Sequence, residues 1–309
     1  MAIRLGFGLP QMRQYEPGGD VTAVARALER LGYDSAWVFE RTLVPRQPQD
    51  GMYGMEGVPW SPGYQHCLDP LVALTLAAAV TSRISLGTSV LVAGLHQPFE
   101  LARTLGSLDR ASSGRLVVGM GSGWSRDEYA AAGTDFAARG AALDETLDVC
   151  AAVWGPDPVT VSGARTRVRE TDVGPKPAQP RVPILLGGMS DRTLRRVARR
   201  ADGWLPAFTP APVLARQGAR LRELTEAEGR DPDRVRITLR AAVRLEARAV
   251  SGERQPYHGD TAQVVEDLAK VAEAGAHEVI LDSQTHARNA DELVEQAGEL
   301  YRAVRKAGL

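Results

Sequence analysis

Two junctions between an apolar run and a set of glycines have the residue types and spacing of an anion-binding site. In the first, the run Leu116–Met120 leads into GSGW, which ends at Trp124. In the second, the apolar run of PILLGG ends in Gly187 and Gly188, and Ser190 follows as a candidate helix cap. Glycine lets the backbone approach an anion closely, and the amide groups at a helix start point toward it. The two junctions therefore predict one anionic ligand held by several loops.

The glycine spacing differs from that of the common nucleotide-binding loops. Gly119, Gly121 and Gly123 alternate, so they do not match the G-x-G-x-x-G pattern of dinucleotide-binding proteins. No lysine follows them as in a P-loop. A Rossmann nucleotide site is therefore disfavoured.

These junctions belong to a chain that alternates strands with helices, which predicts a parallel sheet covered by helices. The simplest closure is a (β/α)8 TIM barrel. We predict eight strands, at Ile3–Leu9, Ser35–Phe39, Ile84–Val90, Leu116–Gly121, Pro183–Leu186, Gly203–Leu205, Ile237–Leu245 and Glu278–Leu281. In such a barrel the active site lies at the carboxyl ends of the strands. The positions to inspect are Gly8 and Leu9, Glu40 and Arg41, 89–94, 121–124, 187–190, Ala207 and Phe208, and Asp282.

Two insertions interrupt the alternation. Residues 42–67 follow the second strand and carry four prolines together with Tyr53, Trp60 and Tyr64. Residues 159–168 are typical of a short hairpin before the fifth strand. We expect residues 1–309 to form a single barrel domain with these two additions.

Composition indicates an enzyme that acts on small molecules. The chain has 37 basic and 38 acidic residues and a net charge of -1, so neither nucleic acid nor a membrane surface is expected as a partner. Cys67 and Cys150 are its only cysteines and cannot build a disulfide framework, which favours a reducing, cytoplasmic compartment. The first ten residues are typical of a strand rather than of a signal peptide.

Histidine and carboxylate spacing does not predict a metal site. No H-x-x-x-H or H-E-x-x-H pattern occurs in the chain. His96, beyond the third strand, is the best-placed histidine for proton transfer, and His66 in the first insertion is a weaker candidate. His277 is expected at the opposite end of the barrel, and His258 and His286 in loops.

The chain resembles the bacterial luciferase-like flavin and deazaflavin oxidoreductases over nearly its whole length. The resemblance rests, in matching order and spacing, on LGYDSAWVFE, DPLVALTLAAAVTSRISLGTSVLVAGLHQP, GRLVVGMGSGWSRDEYAAAG and PKPAQPRVPILLGG. The long insertion followed by LDPL and LGTSVLV most resembles the branch that uses the deazaflavin coenzyme F(420). The resemblance implies the same eightfold barrel and a homodimer.

The resemblance also implies where a cofactor would bind. Its ring would lie against Ser89 and Val90, with a non-proline cis peptide bond between them. Trp124 would stack or wall the pocket, or pack structurally. The phosphate would lie among Gly121, Ser122, Gly123, Gly187, Gly188, Met189 and Ser190.

The candidate catalytic residues are Glu40, Arg41 and His96. Some deazaflavin dehydrogenases of the family carry an Asp-His pair where this chain has Glu40 and Arg41. Glu40 is expected to orient or protonate substrate or cofactor, and Arg41 to hold an anion or an enolate-like oxygen. The alternative is that either residue forms an ion pair that holds the loop. A sugar-phosphate dehydrogenase of the family has glutamate where this chain has Trp124, which argues against a sugar-phosphate substrate.

The reaction that this resemblance implies is hydride transfer between C5 of coenzyme F(420) and a small organic substrate. The aromatic residues of the first insertion favour an apolar or aromatic substrate. The main alternative is an FMN-dependent monooxygenase that uses reduced flavin and O2. A second alternative is a cofactor-binding barrel without catalysis.

Overall fold

Eight parallel strands close into a barrel in the computed structural model, which describes residues 2–309. Each strand pairs with the next, and the last pairs with the first through Leu5 and Val279. The strands are β1 (Arg4–Gly8), β2 (Ser35–Val38), β3 (Ser85–Thr88), β4 (Leu116–Gly121), β5 (Ile184–Gly187), β6 (Gly203–Leu205), β7 (Arg236–Ala242) and β8 (Glu278–Asp282). The predicted TIM barrel is confirmed. In a ring of eight, strands four apart face each other, so β2 lies opposite β6 and β3 opposite β7.

Helices cover the outside of the barrel. Local sequence explains their ends: Asp69 caps α2 by accepting hydrogen bonds from the amides of Leu71 and Val72, at 2.8 and 3.0 Å, and Pro70 occupies the first turn. The helices are α1 (Gly19–Leu31), α2 (Pro70–Val80), α3 (Pro98–Ala111), α4 (Arg126–Ala131), α5 (Arg139–Trp154), α6 (Asp191–Arg200), α7 (Ala211–Ala227), α8 (Thr261–Glu273) and α9 (Ala290–Lys306).

Apolar side chains form two separate layers. The larger layer lies between the sheet and the helices. The smaller one fills the barrel and comprises Trp37, Leu185, Leu205 and Ile280. Glycines on the strands beside β2 make room for the Trp37 indole, because a Cβ on Gly87 would lie only 2.3 Å from that ring. The interior is thus solid below the mouth of the barrel, as in other barrels of this class.

Two predicted strands differ by more than one residue from the observed ones at the end that matters for the site. The third strand ends at Thr88 rather than Val90, and the chain pairs again with β4 over Leu91–Val92. The seventh ends at Ala242 rather than Leu245. Residues 244–245 pair instead with His258–Gly259, so the prediction that His258 lies in a loop is wrong.

The two predicted insertions are present. The hairpin has antiparallel strands Val159–Ser162 and Arg167–Thr171, slightly longer than predicted. The first insertion has two short 3-10 turns, Met52–Gly54 and Pro62–His66. None of the helices within residues 2–309 is long and apolar enough to cross a membrane. The same residues contain no group of three or more histidine, cysteine or acidic side chains that would suit a metal ion.

Candidate active site

The ends of β3, β4 and β5 meet around the side chain of Val90. A Cβ on Gly121 would lie 2.9 Å from Val90 Cγ2, and one on Gly187 would lie 3.0 Å from Val90 Cγ1. Gly121 and Gly187, two of the glycines predicted to bind the cofactor, therefore form the walls of a slot that holds Val90. Val90 is 31 positions from Gly121 and 97 positions from Gly187 in the sequence, but the three residues lie at the ends of adjacent strands.

Ser89 and Val90 form the predicted non-proline cis peptide bond. The amide of Ser89 donates to the carbonyl oxygen of Val38 at 2.6 Å. Its carbonyl oxygen accepts a hydrogen bond of 2.9 Å from Arg240 Nη1. Ser89 is thus held by two strands, its amide by the adjacent β2 and its carbonyl oxygen, which belongs to the cis peptide, by the opposite β7.

The glycine loops after β4 and β5 have the conformation and exposure of an anion site. Gly123 and Gly188 are in the left-handed region, with φ of 67° and 123°, where a side chain would be strained. Ser190 caps α6 by accepting from the amide of Thr193 at 3.2 Å. Gly188, Met189 and Ser190 are exposed, so the amide groups at the start of α6 face solvent. These residues fit the phosphate of a flavin or deazaflavin in chemistry and access.

Ser122 and Tyr129 stiffen the loop after β4. The hydroxyl of Tyr129 donates to the carbonyl oxygen of Ser122 at 2.8 Å. Ser125 caps α4 by accepting from the amide of Glu128. The loop therefore keeps its shape before any ligand binds.

Glu40 and His96 form a hydrogen-bonded pair at the same edge of the barrel. His96 Nε2 lies 2.7 Å from Glu40 Oε1, and Glu40 Oε2 accepts from the amide of Val92 at 2.6 Å. Burial lowers the pKa of His96, but the hydrogen bond and the charge of Glu40 outweigh it, so the pKa is raised above its usual range. The pair therefore holds a proton between two groups that the sequence had identified separately.

Arg41 forms a buried ion pair with Glu128. Arg41 Nη1 lies 2.5 Å from Glu128 Oε2, and both side chains are almost fully buried. Burial raises the pKa of Glu128, although the charge of Arg41 opposes that effect. This geometry is the ion pair that the sequence analysis held as its alternative for Arg41. Arg41 Nε is nevertheless buried with no hydrogen-bond partner among the described residues.

Trp124 belongs to an aromatic cluster around Arg41. The guanidinium carbon lies 4.7 Å from the Trp124 ring centre and 5.2 Å from that of Trp60, and the two indoles are 4.7 Å apart. Tyr53 contacts Trp124 edge-on at 5.8 Å. Trp124 is thus a wall of the mouth and packs against the first insertion at the same time.

Helix α4 anchors the first insertion. Asp50 accepts from the backbone amide of Arg126 at 2.8 Å and forms an ion pair with its side chain. The Gln49 amide donates to Asp127 at 2.9 Å. Arg126 and Asp127, in the first turn of α4, therefore fix the insertion beside the glycine loop.

Arg240 and Asp282 are the pair that sequence reasoning missed. Arg240 is buried, donates from Nε to Asp282 Oδ2 at 2.8 Å and lies 5.1 Å from the ring centre of Phe39. Burial lowers the pKa of Arg240, but the charge of Asp282 outweighs it, so the guanidinium stays charged. In the sequence, Asp282 stands out only as a residue at the end of the predicted eighth strand. The available signal for Arg240 was a single charged residue inside the apolar segment ITLRAAV.

The remaining histidines lie away from this site. His277 accepts from the amide of Ile237 through Nδ1 at 3.0 Å, at the amino-terminal ends of β7 and β8, as predicted. His66 is exposed in the insertion, and His286 lies in the loop after β8. His258 pairs with Glu246 at 3.0 Å.

Comparisons with known proteins identify the family of the chain. The sequence model of the luciferase-like monooxygenase family matches residues 3–255. The chain belongs to this family. The predicted resemblance is confirmed, and the protein is an oxidoreductase of the flavin- and deazaflavin-dependent class.

Relatives of this luciferase-like protein include one without an assigned activity and one with a named activity. A protein of Mycobacterium tuberculosis described as uncharacterized is 35% identical over 213 residues, which are 68% of this chain and 74% of that protein. A protein of Nakamurella multipartita named F(420)-dependent glucose-6-phosphate dehydrogenase is 29% identical over 215 residues, which are 69% of this chain and 58% of that protein.

Solved structures with the same fold include a monooxygenase and a coenzyme F(420)-dependent reductase. A monooxygenase from Streptomyces bottropensis has a TM-score of 0.81 at 18% identity and covers 99% of this chain and 100% of its own. The coenzyme F(420)-dependent tetrahydromethanopterin reductase from Methanopyrus kandleri has a TM-score of 0.78 at 17% identity and covers 99% of each chain. At these identities the likeness establishes the luciferase-like barrel and leaves the substrate open.

Proposed function

We propose that this protein is a coenzyme F(420)-dependent oxidoreductase that transfers hydride between C5 of the deazaflavin and a small organic substrate. The observation that carries the proposal is the convergence of Val90, Gly121 and Gly187 beside the exposed start of α6. It provides an apolar wall for a planar ring and amide donors for a phosphate at one edge of the barrel. Relatives with F(420)-dependent names that match 69% and 77% of the chain support the deazaflavin over FMN.

The residues that would hold the coenzyme fall into two groups. Ser89 and Val90 would back the ring, and Trp124 would wall it. When bound, the reduced coenzyme supplies the hydride. The phosphate would be held by Gly121, Ser122, Gly123, Gly187, Gly188, Met189 and Ser190.

His96 is the proposed proton carrier, with Glu40 as its partner. The hydrogen bond and the charge of Glu40 raise the pKa of His96, which favours the protonated imidazole that would give a proton to a substrate oxygen. Glu40 would orient the imidazole and stabilise its charge through the contact at 2.7 Å. A quarter of the His96 side chain is exposed, so proton exchange with solvent remains open.

Arg41 has a different proposed role. Its Nη1 is held by Glu128, whereas its buried Nε–H has no partner among the residues described. A buried donor without an acceptor is costly, so an oxygen of a bound ligand is its natural partner. Arg41 would therefore orient a ligand oxygen rather than move a proton.

A sugar phosphate is not the proposed substrate. The two arginines near the mouth, Arg41 and Arg240, are each compensated by a buried carboxylate, Glu128 and Asp282. A substrate phosphate, in addition to the phosphate of the coenzyme, would therefore find no uncompensated guanidinium at either arginine. Trp124 also occupies the position at which the sugar-phosphate enzyme carries glutamate.

The second candidate function is FMN-dependent monooxygenation. The family description and the monooxygenase with a TM-score of 0.81 favour it. The same loops would hold the FMN phosphate. Oxygen uptake during turnover distinguishes the two reactions, because a deazaflavin carries hydride and does not activate oxygen in this way.

A homodimer is proposed on the apolar helix α2. Its sequence PLVALTLAAAV has no charged residue, and Val72, Thr75 and Ala79 are exposed. An exposed helix face without charge is unusual on a monomer and suits a contact with a second copy.

The experiment that tests the proposed function is a parallel titration of the purified protein with coenzyme F(420) and with FMN, followed by ligand fluorescence at equal ionic strength. Tighter binding of F(420) supports the proposal, and preference for FMN supports the monooxygenase. With a true substrate, coenzyme deuterated at C5 should pass its label to the product. Binding of neither ligand would overturn the assignment of the site.

A further inference from the structure

Tyr53 and Phe208 contact each other across the mouth of the barrel. Tyr53 belongs to the insertion after β2, and Phe208 follows β6, so the two residues approach from opposite sides of the barrel. Their ring centres are 5.3 Å apart. Beneath them the space among Phe39, Ser89 and Arg240 is a cavity of about 10 Å³, enough for one water at most. A ring compound that binds over Arg240 between these two side chains therefore has to displace one of the rings.

Both residues have left-handed backbone conformations that favour glycine. The φ angles are 59° for Tyr53 and 55° for Phe208. An aromatic residue keeps such a conformation only where its surroundings hold it, and conformations of this kind cluster at ligand-binding sites. The Phe208 ring is held by Tyr53 on one side and by the Arg240 guanidinium, 5.7 Å away, on the other.

Phe208 is the more exposed partner of the contact. Phe208 is 36% exposed as a residue, whereas its backbone amide donates a hydrogen bond to the carbonyl oxygen of Arg240 at 2.8 Å. The ring can therefore swing out by rotation of the side chain without a loop movement. Tyr53 is held in place because its hydroxyl lies 2.5 Å from that of Tyr64 and its ring contacts Trp124.

The position that Phe208 fills has a defined chemistry. A flat group placed there would lie against the Tyr53 ring and over the Arg240 guanidinium. The charge of Arg240 is already compensated by Asp282, so a charged ligand gains little. The hydroxyls of Tyr53 and Tyr64 bond to each other, so one of them keeps a proton that it can donate to a carbonyl oxygen.

We propose that the Phe208 ring is a placeholder for the substrate, and that the substrate is an uncharged conjugated ring compound with a carbonyl group, which takes its place between Tyr53 and Arg240. This inference deepens the proposed function and rests on it for the reaction. Binding in this position needs the open state of Phe208, so the measured affinity is reduced by the small fraction of molecules in that state.

The test is a titration of the protein without coenzyme with 2,3-dimethyl-1,4-naphthoquinone, followed by quenching of tryptophan fluorescence. The two methyl groups of this probe block addition of the Cys67 thiol. Phe208→Ala removes the placeholder and should lower the dissociation constant by at least about fivefold. Tyr53→Ala removes the wall on which the probe stacks and should raise it. Met55→Ala, an exposed apolar residue of the same insertion, is the matched control and should leave it unchanged.

The opposite signs for Phe208→Ala and Tyr53→Ala separate the proposal from general loosening of the mouth, which would shift both variants in the same direction. An unchanged or weaker affinity of Phe208→Ala would overturn the proposal. Displacement of the naphthoquinone by glucose 6-phosphate at equal ionic strength would overturn the uncharged ligand class. Binding of F(420) and FMN is measured separately on the same variants. If the naphthoquinone titration overturns the placeholder role of Phe208 while the variants still bind the coenzyme, the proposed function therefore still stands.

Discussion

Arg240 on β7 donates from Nη1 to the carbonyl oxygen of Ser89 at the end of β3, at 2.9 Å. Because β7 lies opposite β3, this hydrogen bond crosses the inside of the barrel. Asp282 compensates the charge of Arg240 from the neighbouring strand β8. The peptide between Ser89 and Val90 is therefore held from the far side of the barrel, and the wall proposed for the cofactor ring depends on a residue that does not belong to it.

Replacement of Arg240 by methionine should destabilise the protein strongly. The change leaves the Asp282 carboxylate buried without its partner, which typically costs about 3–5 kcal/mol. The double variant Arg240→Met/Asp282→Asn should recover part of that loss because the remaining charge is removed. Urea unfolding of the three proteins measures both effects. Equal stability of Arg240→Met and the wild type would contradict the buried pair.

Replacement of Gly121 by alanine should impair the proposed cofactor site. The new Cβ would lie 2.9 Å from Val90 Cγ2, and valine has little freedom to move away. We expect a destabilisation of roughly 1–3 kcal/mol and an affinity for F(420) or FMN that is about tenfold weaker. Fluorescence titration measures the affinity.

The second substitution Val90→Ala provides the internal check on this prediction. It removes the methyl groups that Gly121→Ala would meet, so the double variant should regain part of the lost stability. Gly140→Ala is the matched control, since its Cβ would have only an ordinary contact at 3.6 Å. If the losses of stability caused by Gly121→Ala and Val90→Ala simply add in the double variant, the two positions are not linked by the slot.

The pair of His96 and Glu40 should make stability depend on pH. The folded pKa of His96 is raised, so the pair stabilises the protein fully below the unfolded pKa of about 6.5 and loses this effect as the pH rises through the folded pKa. The nearby charges are Asp69, which raises the pKa further, and Arg165, which lowers it. Thermal unfolding of wild type and His96→Gln should differ most at acid pH and converge at alkaline pH. The variant His66→Gln, which replaces an exposed histidine of the first insertion, is the control and should not show this pH-dependent difference in thermal unfolding.

The proposed dimer can be tested on α2. Val72 is 49% exposed on a helix without charged residues, so Val72→Glu should place a charge in the contact and dissociate it. Sedimentation velocity should then report a monomer. Ala215→Glu, on the exposed face of α7, serves as the control and should leave the assembly unchanged. A wild-type protein that sediments as a monomer at micromolar concentration would remove the dimer from consideration.

Local patterns were sufficient for the architecture and for the residues of the glycine loops. Apolar runs of strand length between amphipathic segments predicted all eight barrel strands, and β4 and β6 have the predicted bounds. Asp69 before Pro70 and glycines after apolar runs depend only on the conformation of a few neighbouring residues. The resemblance to luciferase-like proteins added the cis peptide between Ser89 and Val90, which lies outside the reach of local pattern.

Only the tertiary structure decided which charged groups pair and which aromatic rings meet across the mouth of the barrel. Glu40 and His96 are 56 residues apart, Arg41 and Glu128 are 87 apart, and Arg240 and Ser89 are 151 apart. Such contacts depend on which strands are adjacent or opposite in the closed barrel, and no local preference encodes that geometry. The sequence by itself therefore determined the barrel, its insertions and the glycine loops. The closed ring of strands determined that Arg240 holds Ser89 and that Phe208 meets Tyr53, because ring closure brings distant segments face to face.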